Sequence, residues 1–239
     1  MLFQSVSYWR TAYFQLPMAG ISWYDDKGVY RIWSMFHSFV KMPELTNLVS
    51  IHDTTDPMNV YEGNTDLKGR RSYTAELAVS KTLREKQVSQ TVRAYYSYYW
   101  NSLAMGYTYN PQTGVRIWRP YNVSGNQYAE LSYRLSLPLD KKRRLMLSST
   151  TEGAYDHNVD MVAAGTTAAT APVRSVVVEK SVEEDLKLTW KLGNHQLALK
   201  ADGLWRFVDS SREGFSSYHA CELNYGGSAM LSLPSRIVH

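Results

Sequence analysis

The side chains of this 239-residue chain that could do chemistry are scattered. The histidines His37, His52, His157, His195, His219 and His239 are dispersed, and none stands at metal-ligand spacing with a pair of carboxylates. A nucleophile elbow, a phosphate-binding loop and a dinucleotide fingerprint are all missing. The segment Gly226-Gly227-Ser228-Ala229-Met230 puts a serine after two glycines, but at the wrong spacing and within an apparent strand, where a kink is the simpler account. Asp53, Asp56, Glu62 and Asp66 share one long loop and could hold a cation or a sugar, although solvated loop carboxylates are far commoner. Cys221 is alone, which excludes an intrachain disulfide and a cysteine metal site. The expectation is a protein without catalysis, metal or cofactor.

Charge gives no stronger lead. Lys and Arg number 26 against 22 Asp and Glu, a net charge of +4, with a pI near 9.0. The basic residues are spread out, except for Lys141-Lys142-Arg143-Arg144 in a predicted turn. Nucleic-acid binding needs a contiguous basic face, so no nucleic-acid partner is expected. Apolar residues make up 44% and charged residues 20%, and the mean hydropathy is −0.37. No run approaches the roughly 20 apolar residues of a membrane helix. That excludes helical membrane proteins only, because a barrel strand shows lipid every second residue and averages to ordinary hydropathy. The 18 Tyr and 7 Trp outnumber the 6 Phe, and such rings with a polar tip suit half-wet positions, either headgroup belts or the strands of a soluble β protein.

The elements that would position any site are strands. Leu131, Tyr133, Leu135, Leu137 and Leu139 alternate with Glu130, Ser132, Arg134 and Ser136. Similar alternation runs through Tyr73–Val79, Val92–Trp100 and Leu186–Leu192, a period of two instead of 3.6. Short polar turns fall at Asp25–Gly28, Arg84–Lys86, Asp140–Lys142 and Gly193-Asn194. Longer connections lie between them at 41–69, 110–114, 157–172 and 210–214. The pattern predicts nine strands, at about 8–25, 29–40, 70–83, 87–109, 115–139, 143–156, 173–191, 195–209 and 215–234. Several exceed fifteen residues, whereas crossing hydrocarbon takes about 9–11 tilted residues and soluble strands usually run five or six. The fold class expected is all-β, an antiparallel up-and-down meander forming part of a larger transmembrane β-barrel. On that reading Glu183-Glu184-Asp185 is a polar stretch facing lumen or solvent, and the Ala/Thr-rich segment after His157 is a mobile loop.

Two loops are more specific. One carries Asp56-Pro57, Gly63-Asn64 and Leu67-Lys68; the other carries Thr113-Gly114, Asn122-Val123, Gly125-Asn126 and, after a strand, Pro138-Leu139 before a basic turn. In this order they resemble the C-terminal barrel of the outer-membrane β-barrel family allied to TonB-dependent receptors, of Bacteroidetes type. Thr65 stands where that family often has proline. The bottom-up role of these residues is structural: Gly63 and Gly125 can take positive backbone angles, and the neighbouring Asn side chains can close local turns.

The resemblance implies residence in the bacterial outer membrane and binding or uptake of a solute through lumen and extracellular loops. It also implies partners: outer-membrane lipid, the remainder of the barrel and its plug, an energy-coupling inner-membrane complex and a surface lipoprotein. Met1-Leu2-Phe3-Gln4 does not read as a signal peptide, since Trp9 and Arg10 interrupt an apolar core. No plug is legible, and the chain ends on Ile237-Val238-His239 without a terminal aromatic residue. Residues 1–239 are therefore expected to be a single partial barrel domain, internal to a larger protein and prone to aggregate through two open edges. A non-transporting adhesion barrel and a soluble β-sandwich or calyx binding module are the alternatives.

Overall fold

The computed structural model describes residues 16–49, 52–53, 55–162, 172–212 and 214–230. In chain order the strands begin with β1 (Met18–Tyr24), β2 (Tyr30–Lys41), β3 (His52–Asp53), β4 (Asn59–Glu62), β5 (Arg70–Leu83), β6 (Val88–Trp100) and β7 (Ser102–Tyr109). They continue with β8 (Arg116–Val123), β9 (Asn126–Pro138), β10 (Leu145–Val162), β11 (Val173–Leu192), β12 (His195–Ser210) and β13 (Tyr218–Met230). Nine of them form one antiparallel sheet in the order β1-β2-β5-β6-β9-β10-β11-β12-β13. The other four form a smaller sheet, β3-β4-β8-β7, with β4 and β8 parallel.

The meander of nine long strands is as expected, but two predicted strands are each two. The expected strand 87–109 breaks at Asn101, whose φ of 54° is left-handed, and β7 leaves the main sheet. The expected strand 115–139 breaks at Gly125, φ 109°, so β8 belongs to the small sheet and β9 returns to pair with β6. The periodicity of two continues through both breaks, which is why alternation alone did not reveal them. The long connection 41–69 is also structured, holding the one-turn helix α1 (Leu45–Leu48) and the strands β3 and β4. β10 runs on to Val162, beyond the expected end at 156. Residues 163–171, where a mobile loop was expected, lie outside the described residues, as do 8–15 and 231–234 of the expected first and last strands.

The register divides the main sheet into two chemically distinct faces. Directly paired residues along one row are Trp23, Ile32, Val79, Val92 and Tyr133, continuing to Thr151, Glu184, Gly203 and Leu223. The adjacent row on the opposite face reads Ser22, Trp33, Ala78, Arg93, Ser132, Glu152, Glu183, Leu204 and Glu222. The apolar face is left open: Ile21 is 72% exposed, Leu131 59% and Leu199 63%. On the polar face small residues are covered by their neighbours, Ser97 and Ser132 being buried. Large apolar side chains standing free on one side and crowded polar ones on the other describe a wall curved around its polar face.

Aromatic residues mark the edges of the apolar band. Phe36 and Tyr73 stack at 6.5 Å, and Tyr98 meets Trp100 edge-on at 6.3 Å; all four point outward at the end carrying the long loops. Trp23, Tyr30 and Trp190 lie near the short turns. Rings with polar tips at both margins fit the two membrane interfaces.

One prediction about this band is corrected. Glu183 and Asp185 face the lumen, but Glu184 between them points outward in the apolar row. Its carboxylate accepts hydrogen bonds from Ser149 Oγ at 2.7 Å and from Thr151 Oγ1, both outward residues of β10. An acidic side chain is costly in hydrocarbon, and two hydroxyl donors across the strand pair offset part of that cost.

Candidate functional site at the mouth of the wall

Above the aromatic margin, the two sequence motifs meet and build the small sheet. Asn122 on β8 acts as the central clasp. Its Oδ1 accepts from the Lys68 backbone N–H at 2.7 Å, and its Nδ2 donates to the carbonyls of Lys68 at 3.1 Å and Asn101 at 3.0 Å. The side-chain amide thus substitutes for a missing stretch of sheet, satisfying backbone groups where β7 departs. Asn64 Nδ2 donates to Pro120 O at 2.9 Å, and its Oδ1 accepts from Asp66 N at 3.0 Å. The backbone N–H of Asn64 donates to Asn47 O at 2.7 Å, and Asn47 Oδ1 accepts from the Tyr61 hydroxyl. Leu67, next to the clasp, has no exposed surface.

Gly63 has a reason other than the one expected. It is absent from the positive-φ glycines, but a Cβ there would lie 2.0 Å from Val49 O. The residue is glycine because another backbone occupies its side-chain space. Gly114, φ 74°, closes the turn after Asn110, accompanied by a Thr113 Oγ1 that accepts from Val115 N at 3.4 Å. Asp56 and Pro57 open a turn in which Asp56 accepts from Met58 N and Asn59 Nδ2, each at 2.9 Å. These bonds, the Asn59 amide first, hold the Asp56 carboxyl below its ordinary pKa. Burial, reinforced by Glu44, raises that of the Tyr61 hydroxyl.

The second motif also fastens the small sheet to the wall. Asn126 Oδ1 accepts from Val159 N at 2.7 Å, Gly125 O lies 2.8 Å from His157 Nδ1, and Arg174 donates to Ser124 O at 3.1 Å. Ala104 and Val123 pack on Val159, with Met161 and Val176 beside them. Those β10 and β11 residues share the parity of the lipid-facing row, so above the margin a protein layer replaces lipid. Of the motif residues, Asp56, Pro57, Thr113 and Gly114 sit at turns, while Gly63, Asn64, Leu67, Lys68, Asn122, Gly125 and Asn126 converge on the junction. The four carboxylates do not form a described cluster: Asp56 is engaged in its turn, and nothing is described of the Asp53 side chain.

Below this junction the lumen face carries a polar network. Arg93 Nη2 lies 2.9 Å from Glu76 and Nη1 4.0 Å from Glu130, and Glu130 also accepts from the Tyr128 hydroxyl at 2.9 Å. Between network and small sheet opens a cleft of about 470 Å³. Its walls combine Lys41, Lys68 and Arg70 with Tyr99 on one side and Tyr128, Asp156 and Asn158 on the other. That volume lies within the usual range of small-molecule sites, about 300–1,000 Å³, but the lining is polar. Reading the sequence missed Lys41, Arg70, Asn101 and Asn47. The available signal was their position at strand ends, flanking the motifs, and only the pairing of β2 with β5 brings Lys41 to Arg70.

A two-faced meander, lipid-facing outside and polar within, with short turns at one end and built loops at the other, defines an outer-membrane β-barrel wall. The comparison with protein families agrees: residues 26–201 match the outer membrane protein beta-barrel family, and the chain belongs to it. It is accordingly a protein of the bacterial outer membrane, in contact with that membrane's lipid. Neither the curated proteins nor the solved structures gave a match. Below the aromatic margin the apolar face stays uncovered among the described residues, which is unlike the inner face of a soluble sandwich or calyx.

Proposed function

We propose that the chain forms part of a TonB-dependent-receptor-like barrel of Bacteroidetes type, and that it supplies wall and extracellular loops for the binding or uptake of a solute. The polar cleft on the lumen side of the mouth is the observation that carries this reading. A solute entering from outside meets the small sheet first and the cleft next. The sheet is open between β1 and β13 among the described residues, and in this reading further strands of the same protein complete the barrel around a plug. Energy would come from an inner-membrane coupling complex, and a surface lipoprotein would assist capture. The reading includes no catalysis: His37, His157, His195 and His219 stand on four different strands.

The test is solute depletion from the medium by cells with and without the intact gene, repeated after the inner-membrane proton gradient is collapsed. The expected result is loss of uptake of one solute class in both cases. Unchanged depletion of every class would overturn the transport reading. It would favour an adhesion barrel, for which the projecting β3-β4-β8-β7 sheet is the supporting feature.

A further inference from the structure

The cleft has an arrangement of charge that folding does not require. Lys41 on β2 and Arg70 on β5 are directly opposed in register. Residues so placed have Cβ atoms about 4.5–5.5 Å apart, and like charges there are destabilising. Lys68, two residues before Arg70, lines the same cleft. Glu44 lines the cleft beside them, but among the described residues none of the three forms an ion pair, whereas Arg93, Lys200 and Arg206 each do. One cation and the backbone of a second are also held in place. The Arg70 guanidinium lies 5.4 Å over the Tyr99 ring, and both backbone polar groups of Lys68 are fixed by Asn122.

We infer that Lys41, Lys68 and Arg70 form the anion-binding side of a site for an acidic sugar, a saccharide bearing carboxylate or sulfate. The inference rests on the solute-binding reading and specifies its ligand class. A sugar follows from the opposite wall, where Tyr128, Asp156 and Asn158 offer donors and acceptors for hydroxyl groups and no further cation. A lone inorganic anion would leave most of the 470 Å³ unfilled. Asp156 plays a second part in selection, because its carboxylate across the cleft repels negative charge on the ligand beyond what the three cations bind, and so weakens polyanionic sugars.

The experiment is calorimetric titration of the full-length barrel in detergent with trigalacturonate and, separately, maltotriose, at low and high salt. Trigalacturonate is expected to bind in a salt-sensitive manner. K41S/R70S should weaken it about tenfold or more, the scale of losing a charge-assisted hydrogen bond, and abolish its salt sensitivity, while maltotriose binds more weakly than trigalacturonate to the wild type and without salt dependence. D156N should tighten trigalacturonate binding, an effect that damage to the fold would not produce. Retained heat-modifiable gel mobility certifies each variant as folded. If maltotriose binds as well as trigalacturonate, or if K41S/R70S binds trigalacturonate normally, the acidic-sugar assignment is overturned while solute binding stands. If neither saccharide binds the folded protein, the inference fails, and the uptake assay decides separately whether the broader reading falls with it.

Discussion

Replacing Asn122 by alanine tests whether one side chain joins the two motif loops. The substitution removes three hydrogen bonds, to Lys68 N, Lys68 O and Asn101 O. Each contributes about 0.5–1.5 kcal/mol net, and water can reach the partly exposed partners, so we take roughly 2–3 kcal/mol in total. The loss should fall on local opening of the small sheet, since the main sheet keeps its own ladder. At about 1.4 kcal/mol per factor of ten, amide exchange of Lys68 and of β4, β7 and β8 should accelerate roughly 30- to 150-fold. Amides of β10–β12 should be unchanged. The assay is hydrogen exchange read by mass spectrometry on the full-length protein in detergent. N122D sharpens it, because a carboxylate keeps the acceptor for Lys68 N but faces two carbonyls with no donor, so it should open the sheet at least as much as N122A. Unchanged protection at residues 59–70 and 102–123 in N122A would refute the clasp.

Three further predictions address the wall and its turn. L131R puts a cation on an outward position 59% exposed in the apolar band and should cost about 2–4 kcal/mol in lipid-bilayer unfolding, whereas S132R, on the lumen face, should tolerate the charge electrostatically but suffer from overpacking. Equal effects of L131R in lipid and in water-soluble conditions would contradict the membrane orientation. E184L should leave stability in lipid unchanged or higher, while T151A, which leaves the outward carboxylate with fewer donors, should lower it; the reverse order in urea titrations of reconstituted protein would refute this account. At the Asp140 turn the carboxylate accepts from Leu145 N at 2.7 Å and Lys142 N at 3.2 Å, the Leu145 bond being the main cause of its lowered pKa. Because the folded pKa lies below the unfolded one, this stabilisation is present above the unfolded pKa and is lost as pH falls through the folded value. The stability advantage of wild type over D140A should therefore be full at pH 7 and vanish in strongly acidic solution, and an advantage independent of pH would exclude the carboxylate as its source.

The sequence by itself determined the wall. Alternation specifies which side chains share a face as soon as a segment is extended, so the Leu131–Leu137 and Val92–Trp100 stripes already implied one apolar and one polar surface. Short turns such as Asp140–Lys142 also declare themselves, because their hydrogen bonds lie within a few residues. Tertiary structure decided how the parts of the mouth are joined. Strand breaks at Asn101 and Gly125 preserve the period of two and change only the partner strand. Asn122 joins Lys68 across 54 residues, Gly63 is constrained by Val49 O, and Lys41 meets Arg70 only through the β2–β5 register. Glu184 was placed on the wrong side for a related reason: three consecutive acidic residues look uniformly polar, but a strand must send the middle one to the opposite face. Local spacing fixes direction along a strand, while contacts between strands depend on a register that the folded sheet selects as a whole.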